Sequence, residues 1–122
     1  LKLMIQKGMT IKNAKVLILG ITFKENCPDM RNTKVVDIYK ELEDFGVNVD
    51  VYDPWADKKH TEKEYGIGLI DKEQIDDEYG AIIVAVAHDE FKTFDYQKYK
   101  ENGAIIYDVK GIVERSLVDS RL

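Results

Sequence analysis

KVLILGITFKENCPDMRNTKVVDIYKELEDFGVNVDVYDP, from Lys15 to Pro54, holds the pattern from which the fold is read. It opens on four consecutive apolar residues, Val16 to Leu19, followed by Gly20. Such a run suits a strand covered on both faces. Thr22 to Asn32 is polar, aperiodic and holds Pro28, so it reads as a loop. Val35, Val36, Ile38, Tyr39, Leu42 and Phe45 then recur at three- and four-residue spacing, which predicts a helix over 33–45 with those residues along one side. Asn32 or Thr33 is the expected N-cap, and Gly46 the residue that ends the helix. Val47, Val49 and Val51 alternate with polar positions until Asp53-Pro54 stops the run, as in a strand. Strand, loop, helix and strand in that order form a βαβ unit with a parallel pairing.

The rest of the chain extends this alternation. Lys58 to Tyr65 is charged and helical in character. GIGLI, 66–70, suggests a short extended piece, and EQIDDEY, 73–79, a short helix. AIIVAVA, Ala81 to Ala87, is the most apolar run and predicts a central buried strand, with HDEF after it as a loop. FDYQKYKENG predicts a short helix closed by Gly103, and AIIYDV, Ala104 to Val109, a fourth strand leaving through KGIVER. The expected fold is an α/β, Rossmann-like three-layer domain with a mainly parallel sheet. With 122 residues there is room for one such core. Leu1 to Gln6, before Gly8, reads as the last turns of a helix. The lack of an initial methionine suggests a piece of a longer protein.

Bulk composition narrows the function classes. Hydrophobic residues at 44% and charged residues at 34% match a soluble domain rather than a disordered chain. A net charge of −5 argues against non-specific nucleic-acid binding. No apolar run is long enough to span a membrane, and no signal peptide is evident. A single cysteine, Cys27, and two separated histidines, His60 and His88, offer neither a disulfide nor a zinc site. A cytoplasmic location is the expectation.

In a parallel sheet, ligands bind beyond the C-terminal ends of the strands. The polar segments there are ITFKENCPDMR, DPW, HDEF and KG. The first is no dinucleotide fingerprint, because Thr22 and Glu25 stand where GxGxxG needs its second and third glycines. Asp53 occupies the place of a ribose-binding acid, but a plain Asp-Pro turn is the stronger reading. Lys24, Arg31 and Lys110 are three basic residues near strand ends, which suggests a phosphate or pyrophosphate site. The alternative is surface charge paired with Glu25, Asp29 and Asp108. Phe23 could stack on a base or cover the sheet edge. Trp55 could mark a partner surface or pack on that edge. His88, with Asp89 and Glu90 to orient it, could transfer a proton, though a capping or loop-stabilising role is favoured. Cys27 has no base beside it, so a structural role is favoured over a catalytic one.

The Lys15–Pro54 stretch resembles the opening of the C-terminal domain of the UDP-glucose/GDP-mannose dehydrogenase family, in the branch that oxidises UDP-N-acetyl-hexosamines. AIIVAVAHDEF and IIYDVKGI are in step with the same domain. The resemblance implies that residues 1–14 are the end of a linking helix and its connector, and 15–122 the nucleotide-binding domain. It implies a parent enzyme that oxidises the C6 alcohol of a UDP-sugar with two NAD⁺, bound mainly by an absent N-terminal domain. It also implies an absent central domain, which carries the catalytic cysteine, and a homo-oligomeric parent. No catalytic residue would then lie in this chain, which would be inactive alone. Phe23 and Lys24 match the family's UDP-sugar-contacting FK pair, and Arg31 an arginine that reaches NAD⁺. Lys110 matches a position where many members have arginine, and lysine loses the bidentate fork. Asp29 matches an acidic position that fixes the loop. The competing readings are an interaction or regulatory domain without a ligand, and a complete small enzyme using His88 or Cys27.

Overall fold

A computed structural model describes residues 15–22, 26, 34–76, 78–113 and 120–121. Within them five strands form one sheet: β1 (Lys15–Leu19), β2 (Asn48–Tyr52), β3 (Ala81–Val84), β4 (Ile105–Asp108) and β5 (Ser120–Arg121). The order is β2-β1-β3-β4-β5. Every pairing is parallel, with Val16 opposite both Val49 and Ala81, and Ala81 opposite Ile105. The helices are α1 (Val35–Asp44), α2 (Lys58–Tyr65), α3 (Asp89–Lys92) and α4 (Tyr96–Glu101), with a 3-10 turn at Lys72–Gln74.

The period-two geometry of β1 builds the two layers. Val16 and Ile18 point to one face, where Val35, Val36 and Leu42 of α1 pack with Val51, Ile67 and Leu69. Leu17 and Leu19 point to the other, against Phe91, Tyr96 and Tyr99 from α3 and α4. Both faces of the central strands are therefore dry, which is why their sequences are apolar without alternation. β2 is an edge strand, and its sequence alternates. No helix among the described residues is long and apolar enough to cross a membrane.

The expected α/β, Rossmann-like architecture is what folds. Several local expectations change. The helix begins at Val35 with Lys34 at its cap position; Asn32 and Thr33 lie outside the described residues, as does the reading of residues 1–6. Phe45 is 54% exposed rather than part of the apolar side. It sits at the C-cap, where the chain already turns away toward Gly46. HDEF is not a plain loop: Asp89–Lys92 makes one helical turn. GIGLI forms no strand, although Ile70 N–H bonds the Val51 carbonyl and tethers the segment beside β2. Where a short helix is expected over 73–79, the described residues hold a 3-10 turn at Lys72–Gln74 that overlaps its start. β3 stops at Val84, and β5 was not foreseen.

Gly20 ends β1 with φ of +100°, a region that L side chains rarely adopt. A Cβ there would stand 2.5 Å from the Cβ of Val86 and 3.0 Å from its backbone nitrogen. Gly20→Ala is therefore expected to destabilise the domain by about 2–4 kcal/mol, combining strain and overpacking. Denaturant unfolding measures this, and a loss below roughly 0.5 kcal/mol would mean that β1 and β3 part freely at this end.

Candidate nucleotide-facing site at the strand ends

Parallel strands place four chain exits on one edge: after Leu19, Tyr52, Val84 and Asp108. Three of these exits are tied together by one buried carboxylate. Asp53 follows β2 and is 5% exposed. Its Oδ2 accepts from the backbone N–H of Ile21 at 2.7 Å and of Thr22 at 3.1 Å, just past β1. Its Oδ1 accepts from Trp55 N–H at 2.8 Å, closing the turn around Pro54. His88, past β3, puts Nε2 at 3.0 Å from Oδ2.

His88 is fully buried. Nε2 also lies 3.0 Å from Thr22 Oγ1, while Nδ1 accepts from Asn26 N–H at 2.8 Å. Asn26 holds φ of +53°, which its short amide side chain tolerates, and its Oδ1 accepts from Asp89 N–H at 3.0 Å. Trp55 stacks over the imidazole at 6.1 Å and 29°, and its Nε1 donates to Glu90 at 3.1 Å. Phe91 packs on it as well, tilted by 57° at 5.3 Å. The group that orients His88 is thus Asp53 rather than Asp89 or Glu90, which are spent on Asn26, Lys92 and Trp55.

The fourth exit has its own buried acid. Asp108 Oδ1 accepts from the N–H groups of Lys110 at 3.1 Å and Gly111 at 2.8 Å, and Oδ2 from Val113 N–H at 2.8 Å. This fixes the backbone of Lys110 while its side chain remains exposed. Of the basic and aromatic residues singled out from sequence, Lys110 is at the strand-end edge. Phe23, Lys24 and Arg31, with Cys27 and Asp29, lie outside the described residues. Among the described residues no group of three His, Cys, Asp or Glu could hold a metal ion.

The first turn does not fit a dinucleotide such as NAD. At the first turn Gly20 packs against Val86, and Thr22 stands where the second fingerprint glycine would let the backbone approach a pyrophosphate. The acid that would receive a ribose hydroxyl is buried, with its oxygens engaged by four donors. Sequence reading placed Asp53 in a turn, which it makes, but its burial and its grip on β1 rest on contacts 31–35 residues apart.

Burial pushes the Asp53 carboxyl up, but the bonds from His88 and Ile21 outweigh it and hold the pKa below the ordinary 3.8. A depressed folded-state pKa gives stability that is present above the unfolded value and lost as pH falls through the folded one. Asp53→Asn should therefore cost about 2–4 kcal/mol at neutral pH, and the gap to wild type should close on acidification below pH of about 4. Paired urea titrations at several pH values measure this. A gap that stays constant with pH would contradict an ionised Asp53.

The family model described as UDP-glucose/GDP-mannose dehydrogenase family, UDP binding domain, matches residues 17–115. UDP-N-acetyl-D-glucosamine 6-dehydrogenase of Salmonella typhi is 42% identical over 100% of this chain, and that of Pseudomonas aeruginosa 41% over 99%. The chain spans 29% of the length of each. The same fold occurs in a UDP-D-ManNAc dehydrogenase of Pyrococcus horikoshii, with a TM-score of 0.76 and 20% identity over 98% of this chain and 28% of that one. A UDP-glucose dehydrogenase of Pyrobaculum islandicum gives a TM-score of 0.75, again at 20% identity, over 98% of this chain and 27% of that one. With a match running from β1 to beyond β4, the chain belongs to the UDP-glucose/GDP-mannose dehydrogenase family, as its UDP binding domain.

Proposed function

We propose that this chain is the UDP-sugar-binding portion of an NAD-dependent 6-dehydrogenase acting on a UDP-N-acetyl-hexosamine, with UDP-N-acetylglucosamine or UDP-N-acetylgalactosamine as substrate. The observation that carries the reading is the family match across the strand-end edge, in a domain whose first turn has Thr22 in place of the second fingerprint glycine. The names of the two bacterial relatives support the N-acetyl-hexosamine branch.

In this reading Phe23 and Lys24, on the loop after β1, and Lys110, after β4, contact the UDP moiety. Lys110 is suited to this because Asp108 fixes its main chain and leaves its ammonium outward. An ammonium recognises phosphate as a point charge, so its position matters more than its orientation. Asp53, His88 and Asp108 face inward and serve the loops. NAD supplies hydride acceptance in the parent protein, from a separate N-terminal domain, with Arg31 reaching toward it. The oxidation takes place outside this chain, which is inactive alone. The parent is a cytoplasmic homo-oligomer. Nucleic acid and membrane are not partners, in keeping with the net charge of −5.

Titration of ¹⁵N-labelled protein with UDP should move the amides of residues 22–26 and 110–111, with a dissociation constant of about 1 mM, since only part of the pocket is present. Lys110→Ala should weaken binding roughly three- to tenfold, as should Lys24→Ala, without lowering the melting temperature. Absence of any shift at these amides at saturating UDP would refute a local nucleotide site. NAD⁺ with UDP-sugars should give no turnover with this chain.

A further inference from the structure

Trp55 carries a ring that is partly open to solvent and yet held in place. It is 38% exposed. Its backbone N–H donates to Asp53 Oδ1 at 2.8 Å, and its Nε1 donates to Glu90 at 3.1 Å. Its ring stacks on the buried His88 at 6.1 Å. An aromatic side chain that is fixed before a ligand arrives loses little freedom when the ligand stacks on it.

Those contacts place the ring within the sheet. Trp55 follows β2, while His88 and Glu90 follow β3. β1 lies between these two strands, so the indole reaches across the exit of β1. The chain passes from β1 to β2 on one side, then crosses back to β3 on the other. The β1–β3 boundary is therefore the switch point, where open parallel sheets receive their ligands. Thr22, Asp53 and His88 at the same exits are buried and bonded to one another, whereas the indole is open to solvent.

Charge distinguishes the ring from its neighbour along the edge. The Glu90 carboxylate accepts the indole N–H, so an anion is disfavoured beside the ring. Lys110 stands one strand further along, after β4, with its main chain fixed by Asp108 and its side chain exposed. Neighbouring strands lie about 4.8 Å apart. A neutral aromatic surface and an exposed cation at adjacent strand exits suit a ligand that joins a planar base to phosphate through a sugar.

We propose that Trp55 is the stacking platform for the base of the nucleotide, with the diphosphate directed to Lys110. This rests on the reading that a UDP-sugar binds at this edge. Every base has a π-face, so the indole supplies affinity for the nucleoside part without reading its hydrogen-bonding edge.

Trp55 is the sole tryptophan, so indole fluorescence excited beyond the absorption of uracil reports on this position alone. UDP and, more weakly, uridine should quench it. Inorganic pyrophosphate should move the Lys110 and Gly111 amides and leave the fluorescence unchanged. Trp55→Leu should weaken UDP binding roughly three- to tenfold, read at those amides, and Trp55→Phe by no more than about twofold. Pyrophosphate should bind both variants as it binds the wild type. An indole that only steadies the loop around His88 would, once removed, weaken UDP and pyrophosphate alike, and that result overturns the proposal. So does UDP that moves the Lys110 and Gly111 amides without quenching the indole. In both of these cases the nucleotide reading stands. If UDP moves neither the amides nor the fluorescence, the nucleotide reading fails and the platform with it. The quenching comparison needs no variant, so it decides even if Trp55→Leu fails to fold.

Discussion

One carboxylate holds the strand-end edge of this domain together. Asp53 receives two amides from the exit of β1, one from its own turn, and the imidazole from the exit of β3. Parallel strands deliver chain ends to a common edge but do not bond those ends to one another. Something must satisfy the N–H groups that leave the ladder there, and a buried ionised acid does so with charge-assisted bonds. Asp108 repeats the solution at β4, with three amides on its two oxygens. The cost of burying each charge is met only because every oxygen is engaged, and among the described residues no buried side-chain polar atom lacks a partner.

This use of the acids decides what the edge can bind. In a dinucleotide-binding turn, the glycines leave a gap for pyrophosphate and the acid after the second strand faces a ribose. Here Thr22 stands where the second glycine would be, and the acid is turned inward. The topology is shared with cofactor-binding domains while the site is rebuilt. Topology alone would have pointed to NAD, and Thr22 in the first turn with the bonding of Asp53 points elsewhere.

What could be read in the sequence follows from how local each feature is. β1 is encoded by an unbroken apolar run, α1 by three- and four-residue spacing, β2 by alternation and α2 by a charged stretch, and all four form nearly where the sequence places them. The one-turn helix at Asp89–Lys92 and the two-residue β5 are too short to carry a period. Phe45 fits the helical spacing yet faces solvent, because the chain leaves the helix at that residue and burial there depends on where it turns. The candidate site divides the same way. The strand-end position of Lys110 is visible in DVKG. The role of Asp53 is not, since its partners Ile21, Thr22 and His88 come from 31–35 residues away. A signal did exist: an Asp ending one apolar strand, a Thr after another and a His after a third are polar residues at neighbouring ends of one parallel sheet.

The strand-end residues therefore form two sets with opposite tasks. Asp53, Thr22, His88 and Asp108 are buried and neutralise one another or the backbone. Lys110 is directed to solvent from a backbone that the first set immobilises. Lys110 thus holds an exposed cation at the strand ends of a protein of net charge −5, on a backbone fixed by the buried Asp108. His88 joins two of these loops, with Nε2 against Asp53 and Nδ1 accepting from the Asn26 N–H. A lysine or arginine at position 88 could pair with Asp53 but could not accept the Asn26 amide, and a carboxylate could accept that amide but would oppose Asp53. The histidine is there because one rigid ring must do both.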